Sequence, residues 1–153
     1  MKNDCGYIAK QIINFSDEHK TIAITCVNKR NLKGKNKSFE NIADILSSND
    51  NFTLVNYDKT YKGKTDIDAT DKCSDLSYDF DKIDVPDKKI ALVNINPIIG
   101  CETLLDKDSA LNKVILYTEY GKTSQSDMIK CSNILKENHI EVLAVIANKN
   151  SQI

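Results

Sequence analysis

The chain is short of the residues that most often carry metal, redox or acid–base chemistry. It has only two histidines, His19 and His139, both beside segments predicted to end helices, so both read as solvated surface residues rather than ligands or catalysts. Its five cysteines (Cys5, Cys26, Cys73, Cys101, Cys131) are odd in number and far apart, with no Cys-x-x-Cys pair. That spacing implies neither a disulfide framework nor a zinc site, and a reducing cytoplasm is the expected compartment. No run approaches the roughly 20 apolar residues of a membrane helix. The first segment carries Asp4 and no long apolar core, so it does not read as a signal peptide. No direct membrane insertion is expected, and any membrane association would go through a partner. The formal net charge is -1, so no basic field covers the protein and nucleic acid is not an expected partner.

What is present is material for one domain. At 153 residues, the chain 1–153 is long enough to bury roughly two-thirds of its unfolded surface without staples. Five short apolar runs, at 21–26, 52–56, 89–94, 113–118 and 141–147, are rich in Ile, Val and Leu without strict polar alternation. Such runs predict strands buried on both faces of a parallel sheet. Between them, 38–47 and 126–138 carry apolar residues at helical spacing, with Ser38 a candidate cap for the first and Ser124 or Ser126 for the second. The alternation predicts an α/β fold: a doubly wound, mainly parallel sheet of about five strands with helices on both faces, with any ligand at the edge where the strands end. Residues 57–88 break the pattern. Aspartates alternate there with lysines and apolar residues are few, which predicts a polar connection with at most one short helix around 74–83. An EF-hand starting at Asp66 would need glycine at Asp71 and glutamate at Ser77, so calcium is not expected.

Three of the strands end where a phosphate or magnesium site would stand in a P-loop ATPase, and each time asparagine occupies the key position. A phosphate loop needs glycines for close backbone approach, a lysine for the outer phosphates and a hydroxyl for magnesium. Read in that frame, 31–38 keeps Lys37 and Ser38 but has Asn31 and Asn36 in place of the two defining glycines; Gly34 is its one glycine. The second strand ends in TLVNYD, with Asn56 in place of the first aspartate of an Asp-x-Asp pair and Asp58 as the second. The third ends in ALVNINP, with Asn94 in place of the aspartate of an Asp-x-x-Pro pattern. Gly121-Lys122-Thr123 spells the end of the same phosphate motif, but its first glycine position falls on Leu116 inside a strand.

In this order and strand context, the chain resembles the ParA/MinD class of P-loop ATPases, and above all the cytoplasmic domain of the bacterial tyrosine kinases (BY-kinases) of capsular and exopolysaccharide export. DCGYIAKQIINF is similar to the family's EAYRTLRTNIQF helix, HKTIAITC to KTILVTS, KGKNKS to PGEGKS, TLVNYDK to LLVDADL and ALVNINPIIG to VIIDTPPVLG. The tail from Lys113 to Lys149 resembles the closing strand, helix and strand, where the family has VVRAGKT and VLGVVLNK. The resemblance implies phosphate and magnesium roles for Lys37 and Ser38, a residual catalytic role for Asp58, and a base-side role for Asn148. Asn36, Asn56 and Asn94 are the degenerate positions. Loss of two carboxylates should remove most magnesium affinity and transition-state charge stabilisation. The expectation is therefore a catalytically impaired kinase-like domain without a cofactor, acting as a binding or regulatory module whose partner is a membrane adaptor or a paralogous kinase. The alternative is a residual ATP- and magnesium-dependent tyrosine kinase or ATPase using Lys37, Ser38 and Asp58. The family's ring-forming Glu-x-x-Arg-x-x-Arg pattern is replaced by Asp4, Tyr7 and Lys10, and lysine lacks the arginine fork, so no particular oligomer follows.

Overall fold

In the computed structural model, residues 2–14, 21–49, 51–58, 61, 68–69, 90–105, 111 and 113–148 are described; for 2–4 and 68–69 this means the backbone only. The elements run α1 (Lys2–Asn14), β1 (Thr21–Cys26), α2 (Leu32–Leu46), β2 (Phe52–Asn56), β3 (Asp68–Ala69), β4 (Ile90–Asn94), β5 (Lys113–Glu119), α3 (Gln125–Glu137) and β6 (Glu141–Asn148). The strands form one sheet in the order β3-β2-β4-β1-β5-β6. Every pairing in it is parallel. All five strands expected from the apolar runs are present, and β3 adds a two-residue strand within the expected polar connection. The helix expected at 74–83 and most of the polar connection 57–88 lie outside the described residues.

Strand alternation divides the core in two. Ile22, Ile24 and Cys26 of β1, Ile90 and Leu92 of β4, and Ile115 and Tyr117 of β5 face α1 and α2. Ala23, Ala91, Val93, Val114 and Leu116 face the other way, toward Cys131 and Leu135 of α3. This is the layout expected of strands that carry apolar side chains on both faces. On α1, Cys5, Ile8, Ala9 and Ile12 follow helical spacing and are buried, which supplies one layer over the sheet. Helix α3 starts at Ser124, whose hydroxyl accepts from the Asp127 N–H at 3.1 Å, so Ser124 and not Ser126 is the cap. It ends with the exposed His139 at φ 58, whose N–H donates to the Lys136 carbonyl at 3.0 Å while Ile140 N–H donates to Leu135 at 2.9 Å. On β6 the predicted burial fails in part. Val142 and Val145 are 36% and 51% exposed because β6 is the last strand of the sheet.

The helix expected to start at Ser38 starts at Leu32 instead, so most of the segment read as a phosphate loop is helix. Glycine, asparagine and lysine in KGKNKS argue locally for a loop, but tertiary burial of one face overrides that preference. Leu32, Lys35, Phe39, Ile42 and Leu46 form that face, and a lysine in its second position hides the apolar periodicity from the sequence.

Gly34 is needed where α2 crosses the sheet. A Cβ on Gly34 would lie 2.0 Å from the Tyr117 hydroxyl oxygen and 2.4 Å from its ring carbon Cζ. At an open helix position, Gly→Ala stabilises by about 1 kcal/mol. Here Gly34→Ala is expected to destabilise by about 1–3 kcal/mol through overpacking. Urea denaturation decides by sign: a more stable variant would mean that α2 does not press on Tyr117.

Candidate functional site

Parallel strands in register carry equivalent side chains side by side. Asn56 at the end of β2 is the register partner of Asn94 at the end of β4, which in turn pairs with Ile24 of β1. Asn56 and Asn94 follow Leu54 and Leu92 by two residues, so both point to the α2 face of the sheet. Directly above them runs α2, which contributes Lys35 and Asn36. The three asparagines singled out by sequence are thus brought together: Asn94 Nδ2 donates to Asn56 Oδ1 at 3.0 Å and to Asn36 Oδ1 at 3.2 Å.

At the centre of this group is a residue that sequence reasoning missed. Lys35 has no exposed surface, and its ammonium donates to Asp58 Oδ2 at 2.5 Å, Asn94 Oδ1 at 2.9 Å and the Ile95 carbonyl at 2.9 Å. Three protons meet three acceptors. Burial pushes the Lys35 pKa down from its ordinary value, while the Asp58 carboxylate pulls it back up. Asp58 is itself fully buried. The surrounding amides are oriented by their own bonds: Asn56 Nδ2 donates to the Asp58 carbonyl at 3.0 Å, and Asp58 N–H donates to Asn56 Oδ1 at 3.2 Å. Asn94 can serve only as an amide, because it donates twice through Nδ2 while accepting from Lys35 through Oδ1. An aspartate there would set its oxygen against two others. The signal for Lys35 in the sequence is a charged residue at a core position of a helical repeat, legible only once the helix is known to begin at Leu32.

The remaining expected site residues are dispersed. Lys37 is exposed on α2, pointing away from the sheet, and Ser38 is buried, with its backbone carbonyl 3.9 Å from Cys5 Sγ. Neither faces a phosphate-sized loop. Asn148, at the end of β6, donates through Nδ2 to the Tyr117 hydroxyl at 3.1 Å, and that hydroxyl lies 3.2 Å from Glu119 Oε2. The same layer holds the Cys26 thiol, which burial pushes up to about 12, so it is not a thiolate near neutrality.

The connection that would have to cradle phosphate is Val27–Asn31, between β1 and α2, and it contains no glycine. It is wound into a 3-10 turn over Lys29–Asn31. The Arg30 N–H donates to Asn28 Oδ1, the Asn31 N–H to the Asn28 carbonyl and the Leu32 N–H to the Lys29 carbonyl. A phosphate loop works by turning such N–H groups toward the anion, and here they are satisfied internally. Magnesium fares no better, because the ammonium of Lys35 already sits on Asp58 and Asn94. These residues do not fit a magnesium–nucleotide complex held in the P-loop manner.

No protein-family model matches the chain, and a search of curated proteins finds no match. Among solved structures, the fold is similar to one described as the BceF tyrosine kinase domain, with a TM-score of 0.64 and 13% sequence identity over 96% of this chain and 75% of that one. At this identity, the likeness establishes the fold alone: an α/β domain of the kind seen in that tyrosine kinase domain.

Removal of one member of a buried ion pair leaves the other uncompensated. Lys35→Met is expected to cost about 3–5 kcal/mol in urea denaturation. Adding Asp58→Asn should recover part of that loss, so a double-mutant cycle should give a strong favourable coupling between the two positions. Independent, additive losses would show that the ammonium and carboxylate do not meet.

Proposed function

We propose that this domain is a binding or regulatory module built on a tyrosine-kinase fold, and that it does not transfer phosphate. The observation that carries this reading is the Lys35 ammonium, held by Asp58, Asn94 and the Ile95 carbonyl at the strand ends. In a magnesium-dependent phosphotransferase, carboxylates at such strand ends hold the metal that neutralises the phosphates. Here one carboxylate remains, and a cation tethered to the protein neutralises it. The resemblance of the sequence motifs to BY-kinases suggests polysaccharide export as the setting, with a membrane adaptor or an active paralogue as the partner. The competing reading, a residual kinase using Lys37, Ser38 and Asp58, finds no support in their positions: Lys37 is exposed, and Asp58 lies against Lys35.

Calorimetry with ATP and magnesium is expected to show no affinity tighter than roughly 100 μM. Micromolar, magnesium-dependent binding would restore the kinase reading. The tethered cation also sets what a reversal requires. Asn56→Asp with Asn94→Asp should create no metal site while Lys35 remains, because the ammonium competes for the same oxygens. Adding Lys35→Ser should free three carboxylates, so that millimolar magnesium raises the Tm of this triple variant and leaves the wild type unchanged.

A further inference from the structure

A second site lies at the same edge of the sheet but on other residues. The chain leaves β1 toward the α1–α2 face and leaves the adjacent strand β5 toward α3, so the loops that follow these strands diverge and open a crevice. The crevice is a cavity of about 810 Å³, lined by the turn after β1, the loop at Ile99–Gly100 and the segment from Gly121 to Ser124. That size is within the range of roughly 300–1,000 Å³ typical of small-molecule sites. Its walls are fixed by side-chain bonds. Asn28 Nδ2 donates to Asp127 Oδ2 at 2.7 Å, tying the β1 turn to α3, and the Thr123 hydroxyl donates to Asn31 Oδ1 at 3.0 Å.

The charge of the cavity is lopsided. Lys29, Arg30 and Lys122 line it against one carboxylate, that of Asp127. Lys122 is 3.3 Å from Glu119, whereas Lys29 and Arg30 have no acidic partner among the described residues. Arg30 is the only arginine in the chain, and its planar fork can grip two oxygens of one phosphoryl group as lysine cannot. Behind the Thr123 wall, the amide Nδ2 of the fully buried Asn31 has no hydrogen-bond partner, which leaves one more donor unused beside the cavity. The cavity is much larger than an inorganic anion, and Ile99 adds an apolar surface to it.

We infer that this crevice binds a small organic phosphate without metal, its phosphoryl group held by the side chains of Arg30 and Lys29 and its organic part in the space bounded by Ile99 and Thr123. The inference goes beyond the proposed function, since it uses none of the Lys35 network and needs no phosphate loop. The test is a titration of the ¹⁵N-labelled chain with phenyl phosphate, and separately with inorganic phosphate, in EDTA throughout. Phenyl phosphate is expected to shift the amide signals of 28–30 and 121–124 with a Kd of about 1 mM or tighter, weakening as salt is raised. Arg30→Ala should weaken it at least tenfold, whereas Lys33→Ala, at an exposed position on α2, should leave it unchanged. Absence of saturable shifts up to about 10 mM, or shifts insensitive to Arg30→Ala, would overturn the inference. Equal binding of inorganic phosphate would mean an adventitious ion only and would overturn it as well. Because magnesium is excluded, failure here leaves the proposed function standing, and micromolar magnesium–ATP binding elsewhere would not rescue this site.

Discussion

The C-terminal edge of the sheet depends on one buried ammonium. Bringing Lys35 out of water is costly, and the fold recovers that cost only because all three of its protons find acceptors, one of them a carboxylate. This requirement propagates outward. Asp58 must follow β2 closely enough to reach the helix, Asn94 must turn its oxygen toward Lys35, and its Nδ2 then falls toward Asn56 and Asn36. Helix α2 must lie low over the sheet for the ammonium to arrive, and Gly34 next to Lys35 permits that approach over Tyr117.

The asparagines therefore carry a different meaning from the one their isolated positions suggest. In sequence, Asn56 and Asn94 read as carboxylates lost from a metal site and Asn36 as a glycine lost from a phosphate loop. In the structure Asn56 and Asn94 donate hydrogen bonds that a carboxylate could not, and Asn36 accepts one from Asn94. A decayed site would leave neutral side chains around a space. Here the ammonium and the amides complete one another as an internal ion pair with its hydrogen-bond shell. This polar layer is the observation behind the proposed reading of a module that does not transfer phosphate. The strand-end network is distinct from the crevice between β1 and β5, where Lys29 and Arg30 have no acidic partner among the described residues.

Much of the architecture was legible because buried parallel strands leave a strong mark. Runs such as TIAITC and IALVN are apolar on both faces, and the alternation with helical segments fixes a doubly wound sheet. The strand ends bearing Asn56 and Asn94 were legible for the same reason, since a short apolar run announces where it stops. The start of α2 was not. Lys35 breaks the apolar stripe, and a glycine next to a lysine reads as a loop, so the motif Asn31–Ser38 was laid over residues that are mostly helix. The edge position of β6 was equally hidden, because nothing in VLAVIA says that one side of the strand lacks a neighbouring strand among the described residues.

Burial on both faces and helical periodicity are local patterns of residue type, so the fold class and the polar residues at the ends of the central strands follow from the amino-acid order alone. Which polar residues meet is set by packing. Lys35 and Asp58 are 23 positions apart, and Lys35 and Asn94 are 59 apart. Their contact depends on how far α2 is wound and how closely it approaches the sheet. Those are properties of packing, and they turn a lysine that looks like part of a loop into the buried cation of the candidate site.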